Sequence, residues 1–244
     1  MKAIITGHTR GLGAAITADI ISQNIPVLGL ARTSNSQLGK QFSGNLTQVE
    51  IDLSDLTAVT HWLETDTLSS FLADCKSVLL INNAGIVQPI GAIGTQDVRM
   101  IQRAVALNVA APMMLANAVV AATLQARDRR ILHVSSGAGR TAYPGWSVYC
   151  ATKAALDQHA RAAALDKTST LRICSLAPGI IDTDMQAEIR ATPLEQFPVR
   201  ERFDALKRNG ELSSPMACAK HLVDYLLSER FGQEPVADLR TVSN

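Results

Sequence analysis

Short apolar runs alternate with longer helical segments along most of this chain, and that alternation restricts the possible folds. Helical periodicity covers five segments: Gly11–Gln23, Asp55–Leu72, Val98–Ala126, Val148–Asp166 and Pro215–Glu229. The six apolar runs have the length of strands buried on both faces: Ala3–Thr6, Pro26–Ala31, Val49–Asp52, Val78–Asn82, Ile131–Ser135 and Leu171–Leu176. Strict alternation favours right-handed crossovers. The sequence therefore predicts a doubly wound α/β fold, with a central parallel sheet flanked by helices.

Composition indicates one domain spanning residues 1–244. Hydrophobic residues make up 47% of the 244 residues and charged residues 18%, which is enough apolar content for a sizeable core. No linker-like stretch or composition break divides the chain. The exception to the alternation is residues 182–211, where Pro193 and Pro198 interrupt a charged, helix-prone segment. We expect this segment to be a long excursion above the sheet that covers the substrate.

Charge and cysteine usage exclude several classes of partner. Lys and Arg number 23 against 22 Asp and Glu, so no electrostatic footprint for nucleic acid or an acidic membrane is expected. The four cysteines are scattered and the histidines lack metal-ligand spacing, which predicts reduced thiols, no metal and a cytoplasmic protein without a targeting segment. The uncharged stretch Ala104–Ala126 contains Asn108 and Pro112, which favours a buried or interface helix over a membrane span.

A glycine-rich loop follows the first predicted strand directly and precedes a helix. Its glycines are Gly7, Gly11 and Gly13, in the spacing G-x-x-x-G-x-G. Glycines at such a turn let the backbone approach a pyrophosphate, whose charge is stabilised at the helix N-terminus. The loop therefore predicts a dinucleotide site, although a glycine-rich turn without a ligand remains an alternative.

Three motifs together resemble those of the short-chain dehydrogenase/reductase family. They are the spaced glycines, Asn82-Asn83-Ala84-Gly85 after the fourth predicted strand, and Tyr149-x-x-x-Lys153. The resemblance extends from Thr6 to about Met185. It implies a single Rossmann-type domain and an oxidoreductase that uses a nicotinamide dinucleotide.

The candidate catalytic residues are Tyr149, Lys153, Ser136 and Asn108. Tyr149 and Lys153 are four residues apart on a helix, so they share a face, and a nearby ammonium is expected to lower the pKa of the phenol. The resemblance implies that Ser136 orients the substrate carbonyl and that Asn108 holds a water linking Lys153 to solvent. Strand alternation turns Ser135 to the opposite side.

Two arginines predict the type of nicotinamide cofactor. The second predicted strand ends in Ala31-Arg32, with no carboxylate for a free ribose 2′-hydroxyl, and Arg10 lies in the glycine loop. Two guanidinium groups suit a 2′-phosphate, which predicts NADP, unless both arginines are merely solvated surface residues.

Further cofactor contacts are implied by the family resemblance. Asp52 and Leu53 resemble its adenine-edge contact, although Asp52 could equally belong to a helix-capping turn with Ser54 and Asp55. Residues 178–183 resemble the segment covering the nicotinamide, with a simple turn as the alternative. The predicted cofactor-binding residues are Gly7, Thr9, Arg10, Gly11, Leu12, Gly13, Arg32, Asp52, Leu53, Asn83, Ala84, Gly85, Tyr149, Lys153, Pro178, Gly179, Ile181 and Thr183.

The expected activity is NADPH-dependent transfer of hydride to a carbonyl of a small ketone or diketone, reversible as alcohol oxidation. The tail from Phe231 to Arg240 lacks the Asp-Gly-Gly of fatty acyl-carrier reductases and resembles the sepiapterin and benzil reductase branch. The alternatives are a 3-oxoacyl thioester reductase and a non-enzymatic, NADP-sensing regulatory protein. The resemblance also implies a homodimer or homotetramer formed through the helices containing Ala104–Ala126 and Ala151–Ala164.

Overall fold

The strands form one sheet whose pairing is parallel throughout. The computed structural model describes residues 1–166 and 168–242. Within them the sheet order is β3-β2-β1-β4-β5-β6-β7. The strands are β1 (Lys2–Thr6), β2 (Val27–Ala31), β3 (Leu46–Glu50), β4 (Ser77–Asn82), β5 (Asp128–Val134), β6 (Leu171–Ala177) and β7 (Val236–Asp238). The predicted doubly wound α/β fold is confirmed.

Helices cover both faces of this sheet. Those that follow the first four strands are α1 (Gly11–Ser22), α2 (Ser36–Gln41), α3 (Leu56–Leu63), α4 (Thr67–Leu72), α5 (Val98–Val105) and α6 (Ala111–Ala122), with a π-turn at Ala106–Ala110 joining the last two. The remainder are α7 (Ser147–Ala164), α8 (Asp184–Ala191), α9 (Arg200–Arg208), α10 (Pro215–Leu227) and α11 (Leu239–Val242). A 3₁₀ turn at Gly137–Gly139 precedes α7.

Two hydrophobic cores lie on opposite sides of the sheet because successive strand side chains alternate. Ile5 packs in the core that contains Ile16 of α1 and Leu222 of α10. The adjacent Ile4 packs in the other core, with Leu115 of α6. Burial of each such side chain contributes about 1.5–3 kcal/mol, so helices on both faces stabilise the sheet.

Several predicted element boundaries were wrong. The third strand lies at Leu46–Glu50 and not at Val49–Asp52, because this edge strand carries polar residues that hide its periodicity. The single helix predicted over Asp55–Leu72 is two, α3 and α4. The Thr65 hydroxyl donates to the carbonyl of Trp62 at 2.7 Å, and such local side-chain bonds compete with helix continuation.

The order of the strands determines where a ligand can bind. The chain winds from β1 through β2 to β3, then returns to β4 on the other side of β1. At such a switch point the connections leave in opposite directions and open a crevice at the carboxyl ends of the strands. The glycine loop after β1 and the motif after β4 both lie at this crevice.

Residues 182–211 leave the sheet after β6 and contain α8 and α9. The amide of Asp182 donates to the Ser213 carbonyl at 2.9 Å, and the amide of Ser213 donates to the Ile180 carbonyl at 3.0 Å. These bonds close the base of the excursion. Phe197, between the two helices, is fully buried in a third small core, which the excursion shares with Trp146 and Tyr149.

One helical run, Val98–Ala122, is long and apolar enough to cross a membrane, with a mean hydropathy of 1.8. In the most apolar part of this run, 44% is buried inside the fold. Leu115 and Val119 pack in a core against the sheet, and the amide of Asn108 is hydrogen-bonded within the protein. This agrees with the expected core helix.

Candidate active site

A cleft of about 580 Å³ opens at the carboxyl edge of the sheet, between the glycine loop and the excursion. Of the residues predicted for the site, only Asn108 is not among those lining it. The predicted residues that line the cleft are Gly7, Thr9, Arg10, Gly11, Leu12, Gly13, Arg32, Asp52, Leu53, Asn83, Ala84, Gly85, Ser136, Tyr149, Lys153, Pro178, Gly179, Ile181 and Thr183.

The glycine loop requires glycine for two different reasons. Gly7 and Gly11 have φ angles of +67° and +53°, which disfavour residues with a Cβ. Gly13 is limited by space instead, since a Cβ there would lie 2.0 Å from the Gly7 carbonyl oxygen. The loop is therefore folded tightly against the start of α1.

The start of α1 provides a test of whether a pyrophosphate fits this loop. Arg10 is the N-cap residue, but its side chain makes no capping hydrogen bond, and the first turn contains no acidic residue. The backbone amides in the first turn of this 12-residue helix therefore have no side-chain acceptor, and they can bind an external anion. Together with the close-packed glycines, this arrangement fits a dinucleotide.

Asn83 connects the glycine loop to the end of β4. Its side-chain amide donates to the carbonyls of Thr6 at 3.0 Å and Gly7 at 3.2 Å. The Thr6 hydroxyl in turn accepts from the backbone amides of Asn83 and Ala84. The Asn-Asn-Ala-Gly motif therefore holds the two central strand ends in a fixed relation beneath the cleft.

The two arginines expected at the 2′ position differ in their surroundings. Arg10 forms an ion pair with Asp184 of α8, with Nη1 2.9 Å from Oδ2, so it bridges the cleft to the excursion. Arg32 is exposed and has no ion pair in the part of the chain that the structure describes. Arg32 therefore forms no ion pair with a described residue, although its charge acts on the nearby Asp52.

Asp52 has the local role that the sequence left open, as well as a place in the cleft wall. Its Oδ1 accepts from the amide of Ser54 at 2.9 Å and from the Ser54 hydroxyl at 2.6 Å. Helix α3 itself is capped by Asp55, which accepts from the amides of Thr57 and Ala58. Despite partial desolvation, the bonds to Ser54, with Arg103 nearby, hold the pKa of Asp52 below its usual value.

Tyr149 and Lys153 lie on one face of α7 and are almost enclosed. The ammonium of Lys153 is 5.7 Å from the centre of the Tyr149 ring and donates to the Val134 carbonyl at 2.8 Å. Burial lowers the pKa of Lys153 to about 8, against the opposing charge of Asp157. Burial also raises the pKa of Tyr149 to about 12, with the Ser136 hydrogen bond opposing.

The expected lowering of the Tyr149 pKa is therefore wrong for this chain. The nearby ammonium alone would favour the phenolate, but desolvation disfavours it in a site where Tyr149 is only 7% exposed. A phenol with a raised pKa is fully protonated near neutral pH. That state can donate a proton, as carbonyl reduction requires.

Ser136 lies at the carboxyl end of β5, where the chain turns over the cleft. Its hydroxyl accepts from the amide of Ala138 at 3.1 Å. The neighbouring Ser135 also lines the cleft, and its hydroxyl donates to Asp157 at 2.7 Å.

Asn108 lies behind the catalytic face, inside the π-turn between α5 and α6. Its amide oxygen accepts from the backbone of Ile86 at 2.9 Å, and its nitrogen donates to the carbonyl of Ile86 at 2.8 Å and to Thr152 at 3.2 Å. These bonds anchor the side chain in the protein interior, which is why it does not line the cleft. Through Thr152 it supports the turn of α7 that carries Lys153.

Residues 178–183 close the cleft opposite the glycine loop. Gly179 has a φ angle of +87°, which allows the chain to turn away from β6. Thr183 is the N-cap residue of α8, and its methyl group would lie 3.5 Å from a Cβ at Gly11. The predicted cofactor-covering segment thus faces the predicted cofactor-binding loop.

An aromatic wall beyond Tyr149 was missed by the sequence analysis. The Trp146 ring lies 5.2 Å from Tyr149, 5.4 Å from Tyr143 and 5.3 Å from Phe203, measured between ring centroids. We call Tyr143, Trp146 and Phe203 the aromatic wall, and all three line the cleft. Phe203 comes from α9, so no local sequence pattern could have revealed this contact.

The described residues contain no cluster of side chains that could bind a metal ion. No group of three or more His, Cys, Asp and Glu side chains within residues 1–166 and 168–242 could hold a metal ion. The four cysteines are free thiols.

Comparison with known proteins identifies the family. The short chain dehydrogenase family model matches residues 1–194. Benzil reductase ((S)-benzoin forming) from Bacillus cereus is 37% identical, over 96% of each chain, and sepiapterin reductase from Meriones unguiculatus is 27% identical, over 93% of this chain and 92% of that one. A crystal structure of a short-chain dehydrogenase/reductase from Burkholderia vietnamiensis is 47% identical, with a TM-score of 0.72, covering 99% of this chain and 97% of that one.

These matches establish an oxidoreductase acting on carbonyl and alcohol groups, in a family that uses nicotinamide dinucleotides. They extend over the elements that form the cleft, including the glycine loop, β4, β5 and α7. The chain belongs to the short-chain dehydrogenase/reductase family, near its benzil and sepiapterin reductases.

Proposed function

We propose that this protein is an NADPH-dependent reductase of small ketones or diketones, reversible as an alcohol dehydrogenase. The observation that carries the proposal is the cleft itself, which joins the glycine loop at one end to Tyr149, Lys153 and the aromatic wall at the other. A bound nicotinamide would supply the hydride for the carbonyl carbon.

We propose that Tyr149 and the residues around it bind the carbonyl oxygen of the substrate and protonate it. The Tyr149 phenol donates its proton to the oxygen as negative charge develops there, and the Ser136 hydroxyl polarises the same oxygen. The Lys153 ammonium stabilises the phenolate that remains, and its donor position at the base of the cleft suits the cofactor ribose. Asn108 supports Lys153 through Thr152, and we propose that it also holds a water that connects the lysine to solvent.

Arg32 supports the choice of NADPH over NADH. It is exposed at the end of β2, lines the cleft and has no ion pair among the described residues. The preceding Ala31 offers no carboxylate to a free 2′-hydroxyl. A planar guanidinium in this position can donate two hydrogen bonds to the oxygens of a dianionic phosphate.

The aromatic wall supports an aryl ketone or diketone as substrate. Its Trp146 ring lies beside Tyr149, and Met185 and Ile189 of the excursion line the same cleft. Aromatic substrates stack favourably on such rings, by about 0.5–1.5 kcal/mol per pair beyond the area buried. The relatives named benzil reductase, 36–37% identical, support the same class.

A panel of carbonyl compounds tests the proposal. NADPH absorbance is followed with an aryl diketone, an aryl monoketone, an aliphatic ketone and a 3-oxoacyl thioester. We expect the diketone to give the highest kcat/KM. Tyr149→Phe should lower kcat by at least about 10²-fold while NADPH binding changes little. Tight NADPH binding without reduction of any carbonyl would instead support the regulatory alternative.

We also propose a cytoplasmic homodimer or homotetramer. Helix α5 exposes Val98 at 75% and Val105 at 45%, and α6, which continues the same helical run, packs on the sheet. Small residues on α7 allow a second helix to approach closely. The free thiols support a reducing compartment.

A further inference from the structure

Asp157 lies one helical turn after Lys153 on α7 and is almost completely enclosed. Its side chain is 1% exposed. It accepts hydrogen bonds from the hydroxyls of Ser135 and Ser175, each at 2.7 Å, and from Nε of Arg140 at 3.0 Å. Two hydroxyls and a guanidinium thus compensate a buried carboxylate that no step of the proposed reaction uses.

Two of these partners lie on either side of Ser136 in the chain. Ser135 precedes it, and Arg140 follows the 3₁₀ turn that begins directly after it. At Gly139 in that turn, a Cβ would lie 3.1 Å from Oδ2 of Asp157 and 3.0 Å from the carbonyl carbon of Lys153. The turn therefore lies flat on α7, and Asp157 fixes both of its ends.

Arg140 extends the network to the C-terminal strand. Its Nη2 donates to the carbonyl of Ala237 at 3.0 Å, in β7. Asp157 accordingly connects α7, the ends of β5 and β6, and β7. Lys153 binds the same strand end one residue earlier, through the carbonyl of Val134.

Asp157 also supplies the negative charge in the surroundings of Lys153. Tyr149 faces the lysine from the same helix, and Arg140 lies beyond Asp157. His133 approaches from β5, but burial, followed by the charges of His159 and Lys153, lowers the pKa of His133 to about 3, so it is neutral at pH 7. Asp157 opposes the burial that lowers the pKa of Lys153.

We propose that Asp157 is a positioning residue for the reaction, which holds Ser136 through Ser135 and Arg140 and keeps the Lys153 ammonium in the site by its negative charge. The inference rests on the proposed function, because Ser136 and Lys153 act on a carbonyl only there. Asp157 would thus join the motif residues of the site, although its contacts with Ser135, Ser175 and Arg140 are tertiary contacts.

A titration of Lys153 without nucleotide tests the charge directly. In protein labelled with ¹³C at the lysine Cε, the Lys153 resonance is assigned by its loss in Lys153→Met and followed against pH. Asp157→Asn should lower the pKa of Lys153 by at least about half a unit. Arg140→Gln removes a cation and should raise it, while the uncharged change Ser175→Ala should leave it in place.

The pH profile of ketone reduction provides the second measurement. The alkaline limb of kcat/KM should move down in Asp157→Asn and up in Arg140→Gln, in the same order as the NMR titration. If both variants fold and the Lys153 pKa moves in neither, Asp157 is only structural and the proposal is overturned. If Asp157→Asn does not fold, the direction of the Arg140→Gln shift decides alone. A wild type that reduces no ketone would refute the proposed function, while the NMR result would still decide the role of Asp157.

Discussion

Tyr149 and Lys153 have pKa shifts of opposite sign with one main cause. Burial disfavours whichever form is charged, so it raises the pKa of the phenol and lowers that of the ammonium. The raised pKa of the phenol fits reduction, in which the phenol must keep its proton until the substrate oxygen takes it, whereas the lowered pKa of Lys153 limits the pH range in which both groups are protonated.

These two values predict how reduction depends on pH. The protonated pair is the active form, and as pH rises Lys153 loses its proton first, near its pKa of about 8, well before Tyr149 at about 12. We therefore expect kcat/KM for ketone reduction to be level around neutral pH and to fall above about pH 8. The measurement is a pH series at constant ionic strength. A limb that begins only above pH 10 would contradict the assignment to Lys153.

Arg32 predicts the cofactor preference. Each hydrogen bond to a charged group contributes on the order of 1.5–3 kcal/mol, so one bond to a 2′-phosphate gives roughly tenfold or greater preference for NADPH. Replacing Ala31 with Asp and Arg32 with Ser should reverse the preference, since the carboxylate repels phosphate and accepts from a free hydroxyl. The ratio of kcat/KM for the two cofactors measures this.

The control for this prediction is Arg10→Gln. Because Arg10 is already paired with Asp184, its loss should change the cofactor ratio less than the loss of Arg32. A wild type that prefers NADH, or a ratio that Arg32→Ser leaves untouched, would contradict the placement of Arg32.

At the scale of elements, the glycine loop and α1 form a unit that tolerates little change. In Gly13→Ala, the added Cβ would lie 2.0 Å from the Gly7 carbonyl oxygen and 2.5 Å from the Asn83 amide nitrogen. The loop must move, at a cost of about 1–3 kcal/mol in the free energy of unfolding. We expect NADPH affinity to fall at least tenfold, measured by fluorescence titration and accompanied by a lower Tm.

Gly137→Ala is the matched control, because a Cβ there meets no atom within 4 Å. Because Gly137 lines the cleft, the comparison is made on Tm, which should stay close to the wild-type value. Equal losses in the two variants would show that close packing at Gly13 is not what the loop depends on.

At the scale of the whole molecule, the exposed apolar residues of α5 predict self-association. Val98 and Val105 would be covered if two copies paired through α5, α6 and α7 about a twofold axis, the commonest symmetry of soluble oligomers. Light scattering at micromolar concentration should give at least twice the 26.1 kDa of one chain. Val98→Glu with Val105→Glu should shift the mass toward one chain, and a wild type measured at 26.1 kDa would contradict the prediction.

The α/β class and the glycine loop could be predicted from the sequence alone, because each depends on residues close together in the chain, where periodicity and spacing carry the information. The Asn-Asn-Ala-Gly turn and the role of the Tyr149–Lys153 pair were predicted from the resemblance to the family. Element bounds were less well determined where local bonds or edge positions weaken the pattern, as at β3 and Thr65. The three-residue strand β7 was missed because only its pairing with β6 makes it a strand.

The surroundings of the site residues depend on tertiary contacts that the sequence pattern does not show. The pKa of Tyr149 rises because distant elements exclude water from it, and charge spacing along one helix carries no information about burial. Trp146 meets Phe203 from more than fifty residues away, and Asp157 meets Ser175 from a different element. These contacts depend on how helices pack on the sheet, so the chemistry of the cleft follows from packing as much as from its motif.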